Sequence, residues 1–437
     1  MMRTSRVVVV ESLADGEGDG IAHALAARGF NALQVDEPGT VVAELLSSVR
    51  PEALVIAQPG RLAGNRLPAA RRLIERLSHS DLTRHLPILV IGESEPGHES
   101  AGITELSEFA SHDELATRIG GLTRLAVLAR ELERRVKVAE RFGGPALAMP
   151  AASIVHDAKI LVALSPSLLS EIADVVPPSV TIAGAPSMPV ALDYLGNENF
   201  DAVVLPGVEL AESGALLDAI RRDSRFAELP IAIAGGEERA AAALCRSGAD
   251  AVMPAQMDAE TTARLLALAS ENRYRAAMRE TLAAAMPPQV RDAVSGLATH
   301  GYFSEWLRAM VGDCDRWGDT VSLIAIEVEN VRALNDRHGF APVDSMMASI
   351  GSIIANLTRA EDCACRYSGS RMLIGMPNMP LDHLRVVRDR ILAIIEQTDF
   401  IDDGALGMKP VMSTRTTQWR PGSSALGLIE DAFCGIA

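Results

Sequence analysis

The stretch RAEDCACRYSGSRM, from Arg359 to Met372, holds residues that can do chemistry. Arg359 and Asp362 are three apart, so a helical turn or tight loop puts both side chains on one face. A guanidinium donates two parallel hydrogen bonds to guanine O6 and N7. A carboxylate accepts from guanine N1 and N2. Together the two can read one guanine, although an incidental Arg–Asp ion pair has the same spacing.

Other chemistries are poorly supplied. The nine histidines are scattered, with no HExxH and no close pair, which predicts no zinc site. Cys245, Cys314, Cys363, Cys365 and Cys434 are odd in number within a large chain, so free thiols of a reducing compartment fit better than a disulfide framework. Cys363 and Cys365 form neither a CxxC redox motif nor a zinc knuckle. The net charge of -16 opposes broad binding to a phosphate backbone, so no nucleic-acid partner is expected.

These residues need elements to position them. The chain has 437 residues, 48% hydrophobic and 22% charged, enough for two to four globular domains. No apolar run approaches a membrane span, and the apolar segment of MMRTSRVVVVES is too short for a signal peptide, so it reads as a first strand of a cytoplasmic protein. VVVV (7–10), ALVIA (53–57) and ILVIG (88–92) are short apolar runs separated by helical stretches such as LPAARRLIERL (67–77). That alternation predicts a parallel sheet covered on both faces. The pattern repeats: PEALVIAQPG…LPILVIG corresponds to FDAVVLPGVE…LPIAIAGG about 145 residues later, a domain duplication rather than a solenoid. Segments 123–142 and 265–286 have helical spacing and dense charge. They predict two long connecting helices, interrupted at Gly143-Gly144 and Pro287-Pro288.

Both copies resemble two-component receiver domains. The phosphoryl-acceptor positions align with Ala57 and Pro206, and the lysine positions with Glu108 and Ala255. Glu11-Ser12 and Ser165-Pro166 stand where an acidic pair would hold Mg²⁺. Glu11 and Asp201 are expected to be solvated carboxylates. The resemblance implies receivers that are not phosphorylated by the usual route and serve as interaction or dimerisation surfaces.

From residue 289 the chain resembles a GGDEF domain, the diguanylate cyclase family. DAVSGLATHGYF (292–303), VSLIAIEVENVRALNDRHG (321–339) and RAEDCACRYSGSRM carry its motifs in order. In that family two Mg²⁺ ions, held by carboxylates, assist the joining of two GTP molecules. Here Glu327 occupies the first-strand carboxylate position, but Ser368-Gly369-Ser370-Arg371-Met372 replaces the acidic hairpin. The chain also ends at IEDAFCGIA, before the family's Lys/Arg run. Asn335 and Asp344 match the guanine-reading pair, consistent with residual GTP binding. Arg359 and Asp362 match the RxxD site for cyclic di-GMP, and Arg390, on RVVRDRILAII, corresponds to the arginine that assists it.

The expected fold is α/β: two tandem flavodoxin-like receiver domains with parallel five-stranded sheets, then a nucleotidyl-cyclase-like α+β domain. The expected domains are residues 1–142, 150–284 and 289–437. The arrangement resembles PleD-type cyclases, and the losses resemble the PopA group of Caulobacter-like bacteria. That implies a homodimeric cyclic di-GMP effector at a cell pole. It would have no cyclase activity, catalytic residue or metal, and would couple ligand to ClpXP proteolysis through RcdA-like and CtrA-like partners. The alternatives are a weak or GTP-binding cyclase-like enzyme, or a receiver scaffold with a structural ligand.

Overall fold

The computed structural model describes residues 5–11, 20–35, 46, 48–57, 85–92, 103–106, 110–144, 147–223, 225–254, 256–401 and 407–434. The chain divides into two compact units: Thr4–Val127 with Pro150–Ala277, and Leu128–Met149 with Met278–Ala437.

In the first unit, β1 (Arg6–Val10), α1 (Ile21–Ala27), β2 (Asn31–Val35), β3 (Ala53–Ala57), β4 (Ile88–Ile91) and β5 (Ile103–Leu106) precede the long helix α2 (His112–Glu140). The second copy comprises β6 (Lys159–Ala163), α3 (Pro166–Val175), β7 (Thr181–Ala185), α4 (Met188–Asn197), β8 (Ala202–Pro206), α5 (Leu210–Arg222), β9 (Ile231–Ala234), α6 (Glu238–Arg246), β10 (Ala251–Met253) and the long helix α7 (Ala259–Ala284). The sheets run β2-β1-β3-β4-β5 and β7-β6-β8-β9-β10, all parallel. That is the 2-1-3-4-5 order of flavodoxin-like folds. The central strands ALVIA and AVVLP are buried throughout, which is why they read as continuous apolar runs.

At the end of each first strand, the side chain in the acidic-pair position caps a helix. Glu11 accepts from the backbone N–H groups of Ile21 and Ala22 at 2.9 and 3.0 Å, at the start of α1. Ser165 accepts from Leu168 N–H, and Pro166 opens α3. Glu11 is therefore buried rather than solvated. Asp201 also departs from expectation: it accepts from Lys159 N–H at 2.7 Å and pairs with Arg273 at 2.8 Å. Ala57 and Pro206 end their strands in buried positions. Glu108 and Ala255, like Ser12 and the stretch 67–77, lie outside the described residues.

The first turns of α2 belong to this unit and fasten to the second copy. Asp113 pairs with Arg246 at 2.8 Å, Glu114 accepts from Val252 N–H at 2.9 Å, and Arg118 pairs with Glu271 at 2.5 Å.

In the other unit, β11 (Ala298–Thr299), α8 (His300–Trp317), β12 (Val321–Val328), α9 (Val331–His338), α10 (Phe340–Leu357), β13 (Cys363–Arg366), β14 (Arg371–Pro377), α11 (Leu381–Gln397), β15 (Phe400–Ile401), β16 (Gly407–Met408), β17 (Met412–Gln418) and α12 (Ala425–Phe433) follow in order. The main sheet is β11-β13-β14-β12-β17. One face carries α8 and α12 through Tyr302, Phe303, Trp306, Leu307 and Leu428. The other carries α10 and α11 through Met346, Met347, Ile350, Ile354 and Ile391. Helix Phe340–Leu357 is long and apolar enough to cross a membrane; here its apolar side, including Val343, faces the sheet. Gly375 lets the Trp306 indole lie on β14, since a Cβ there would stand 2.4 Å from the ring. All five cysteines are free thiols, with only Cys434 exposed.

Candidate functional site

Helix α10 ends at Leu357 and the chain turns immediately. Asp362 N–H donates to Arg359 O at 3.1 Å, and Arg359 N–H donates to Asp362 Oδ2 at 2.7 Å. The carboxylate thus ties the turn from inside, while the Arg359 side chain is 63% exposed and only loosely paired with Glu361 at 3.8 Å. From α11, Arg390 Nη2 donates to Leu357 O at 2.9 Å. The structure therefore brings Arg390 to the entry of the Arg359–Asp362 turn, 33 residues away in sequence from its acceptor.

Asp362 is 7% exposed. Burial pushes its carboxyl up to about 7, and Glu361 adds to the rise; the Arg359 N–H and the Arg359 and Arg135 guanidiniums pull the other way.

Behind the turn lies a charged cluster from the end of α2 that was not singled out in the sequence. Glu131 is fully buried, bonded by Arg134 and, at 2.7 Å, by Arg135. Trp306 Nε1 also donates to Glu131, at 2.8 Å. Arg134 continues to Asp313 at 2.9 Å, and Arg135 donates to Asp362 O at 2.5 Å. Burial opposes the charge on Arg135, but Glu131 outweighs it and holds the guanidinium firmly protonated. The i, i+3 and i+4 spacing within ELERR was a legible sign of local pairing. Nothing in that spacing marked the pairs as buried.

The second constellation is the β13–β14 hairpin. Tyr367 N–H donates to Arg371 O at 2.8 Å, and Arg366 closes the mouth by donating to Gly369 O at 2.7 Å. Strands β12 and β14 pair with Glu327 opposite Arg371, and Arg371 Nε bonds Glu327 Oε2 at 2.9 Å. The guanidinium also lies 5.2 Å from the Phe433 ring centroid. Glu327 is thus bonded to a cationic side chain. Among the described residues no group of three His, Cys, Asp or Glu side chains is arranged to hold a metal. As arranged, this donor set does not fit a pair of Mg²⁺ ions. Asn335 is half-buried near the end of α9 and Asp344 is exposed on the first turns of α10, on the far side of Gly339.

Comparison with known proteins bears on both constellations. Residues 289–424 match the family described as "Diguanylate cyclase, GGDEF domain". Response regulator PleD of Caulobacter vibrioides is 23% identical over 350 residues, covering 74% of each chain. Diguanylate cyclase DgcS of Shewanella oneidensis is 32% identical over 83 residues, 19% of this chain and 28% of that protein. Among solved structures, the GGDEF domain of DgcB from Caulobacter crescentus in complex with c-di-GMP is 17% identical, covers 34% of this chain and 89% of its own, and has a TM-score of 0.33. The expectation that the chain is not an enzyme is overturned here: the matching family and relatives such as DgcS are named diguanylate cyclases. Residues 289–424 thus match the GGDEF domain family of the diguanylate cyclases, and the chain is similar to the response regulator PleD.

Proposed function

We propose that this chain is a cyclic di-GMP-binding signalling protein that reads one guanine of the ligand with Arg359, Asp362 and Arg390. The observation that carries it is convergence: Arg390 reaches the entry of the turn that Asp362 closes, and the Arg359 guanidinium is left facing outward. An exposed arginine beside a carboxylate on a rigid turn is what bidentate guanine recognition requires. Binding of c-di-GMP by the GGDEF domain of DgcB supports the ligand class. Asn335 and Asp344 form a separate candidate surface for GTP.

The finer assignment follows PleD-like organisation. Residues 1–142 and 150–284 are read as receiver-like domains, and 289–437 as the GGDEF domain. Ligand binding would bias recruitment of protein partners by a cytoplasmic homodimer at a cell pole. The PopA-like role in ClpXP-dependent proteolysis, with RcdA-like and CtrA-like partners, belongs to this proposal.

Calorimetry with cyclic di-GMP tests the site. Arg359→Ala is expected to weaken binding about 5- to 150-fold, the equivalent of roughly 1–3 kcal/mol. Equal affinity of the variant and the parent chain removes the assignment.

A further inference from the structure

We propose that the end of helix α2 is part of the cyclic di-GMP site, with Arg135 as the residue that positions the 359–362 turn for the ligand. This rests on the function proposed above and adds a residue to it that lies 227 positions away from Asp362.

The contacts run in one direction, from a buried anchor to the turn. Glu131 cannot move freely, because the indole of Trp306 and two guanidiniums bond its carboxylate in the interior. Trp306 is itself fixed against β14 at Gly375. Glu131 therefore orients Arg135, whose Nε is bonded to it while Nη2 points at Asp362 O. The carbonyl of Asp362 and the carboxylate of Asp362 belong to the same residue. Holding the first restrains where the second stands within the turn.

The seat of α2 is made by more than these charges. Val138 is part of the α8 core, Phe142 packs on Tyr302 at 5.7 Å between ring centroids, and Arg141 pairs with Glu305 at 2.6 Å. Gln289 donates to Phe142 O at 3.0 Å. Residues 128–142 thus form a docked segment, and Arg135 bonds it directly to the guanine-reading turn. A neutral side chain at 135 would remove that bond and also a positive charge near the Asp362 carboxyl. The other charged groups facing that carboxyl are Glu361 and Arg359.

The test is calorimetric titration of cyclic di-GMP into the full chain from pH 6 to pH 9, for the parent, Arg135→Gln, Arg135→Lys and Arg359→Ala. Thermal unfolding followed by tryptophan fluorescence reports folding of each. Guanine N1 and N2 need an ionised acceptor, so parent affinity should rise with pH through about 7. Arg135→Gln should bind about tenfold more weakly at pH 7, with the midpoint of the rise moved upward. Arg135→Lys should recover the midpoint in part. Should Arg135→Gln not fold, Trp306→Phe, which removes one donor to Glu131 and keeps an aromatic ring, must show the same direction of change. Parent and Arg359→Ala binding alike would remove the underlying site. Binding weakened in Arg359→Ala, with affinity and midpoint unchanged in a folded position-135 or position-306 variant, overturns the positioning role alone.

Discussion

Two places in the GGDEF domain each set an arginine beside an acid, and the outcomes differ. In the 359–362 turn the acid is buried and bonded to backbone, and its arginine faces solvent. In the β12–β14 pair the acid and arginine are cross-strand neighbours bonded to each other. The Arg359 guanidinium is left available because Asp362 is bonded to backbone and Glu361 stands 3.8 Å away. On the function proposed above, the first place is the one that would receive a guanine, while in the second the guanidinium stands where a cation would compete for Glu327.

The largest expected effect strikes the support of the turn. Glu131→Ala leaves the buried Arg135 guanidinium without its counter-charge and Arg134 with Asp313 alone, which should cost about 3–5 kcal/mol. The chain's three tryptophans, Trp306, Trp317 and Trp419, all lie in the unit containing Met278–Ala437. Their fluorescence during urea unfolding reports that unit alone. A loss below about 1 kcal/mol would mean that the cluster is not the anchor its burial implies.

Next is the titration of Asp362. Its folded-state value, about 7, lies above the ordinary 3.8. A raised carboxyl stabilises the fold fully below the unfolded value, and that contribution is lost as pH rises through the folded one. Stability of this unit should fall between about pH 4 and pH 7, by up to a few kcal/mol, and the slope should disappear in Asp362→Asn. An unchanged slope in that variant would assign it to other groups.

The smallest effect concerns Arg371. This ion pair is part-exposed, so Arg371→Ala should shift stability by no more than about 1 kcal/mol. Freed of the guanidinium, Glu327 should bind Mn²⁺, used as a paramagnetic probe for Mg²⁺, more tightly than in the parent chain. Equal Mn²⁺ affinity by electron paramagnetic resonance would show that the pair does not compete with a metal. Together with weakened cyclic di-GMP binding in Arg359→Ala, tighter Mn²⁺ binding in Arg371→Ala would separate the two places by ligand class.

Much of this was legible from residue order alone. Apolar runs such as ALVIA, duplicated as AVVLP, announced buried parallel strands, because a strand covered on both faces cannot alternate. The spacing of Arg359 and Asp362 foretold one turn, since residues three apart meet locally whatever lies beyond them. The resemblance to the GGDEF signature placed Arg371 at a hairpin. What a charged side chain bonds to over long range was not legible. Glu11 and Asp201 looked solvated, yet one caps a helix from within and the other is half-buried, bonded to the Lys159 N–H and to Arg273. Arg135 was one of many charges on a long connecting helix, yet it is buried against Asp362. Local geometry follows from bond lengths and periodicity, which residue order determines directly. The partner of a distant charge depends on which surfaces exclude water together, and only the packed tertiary structure decides that.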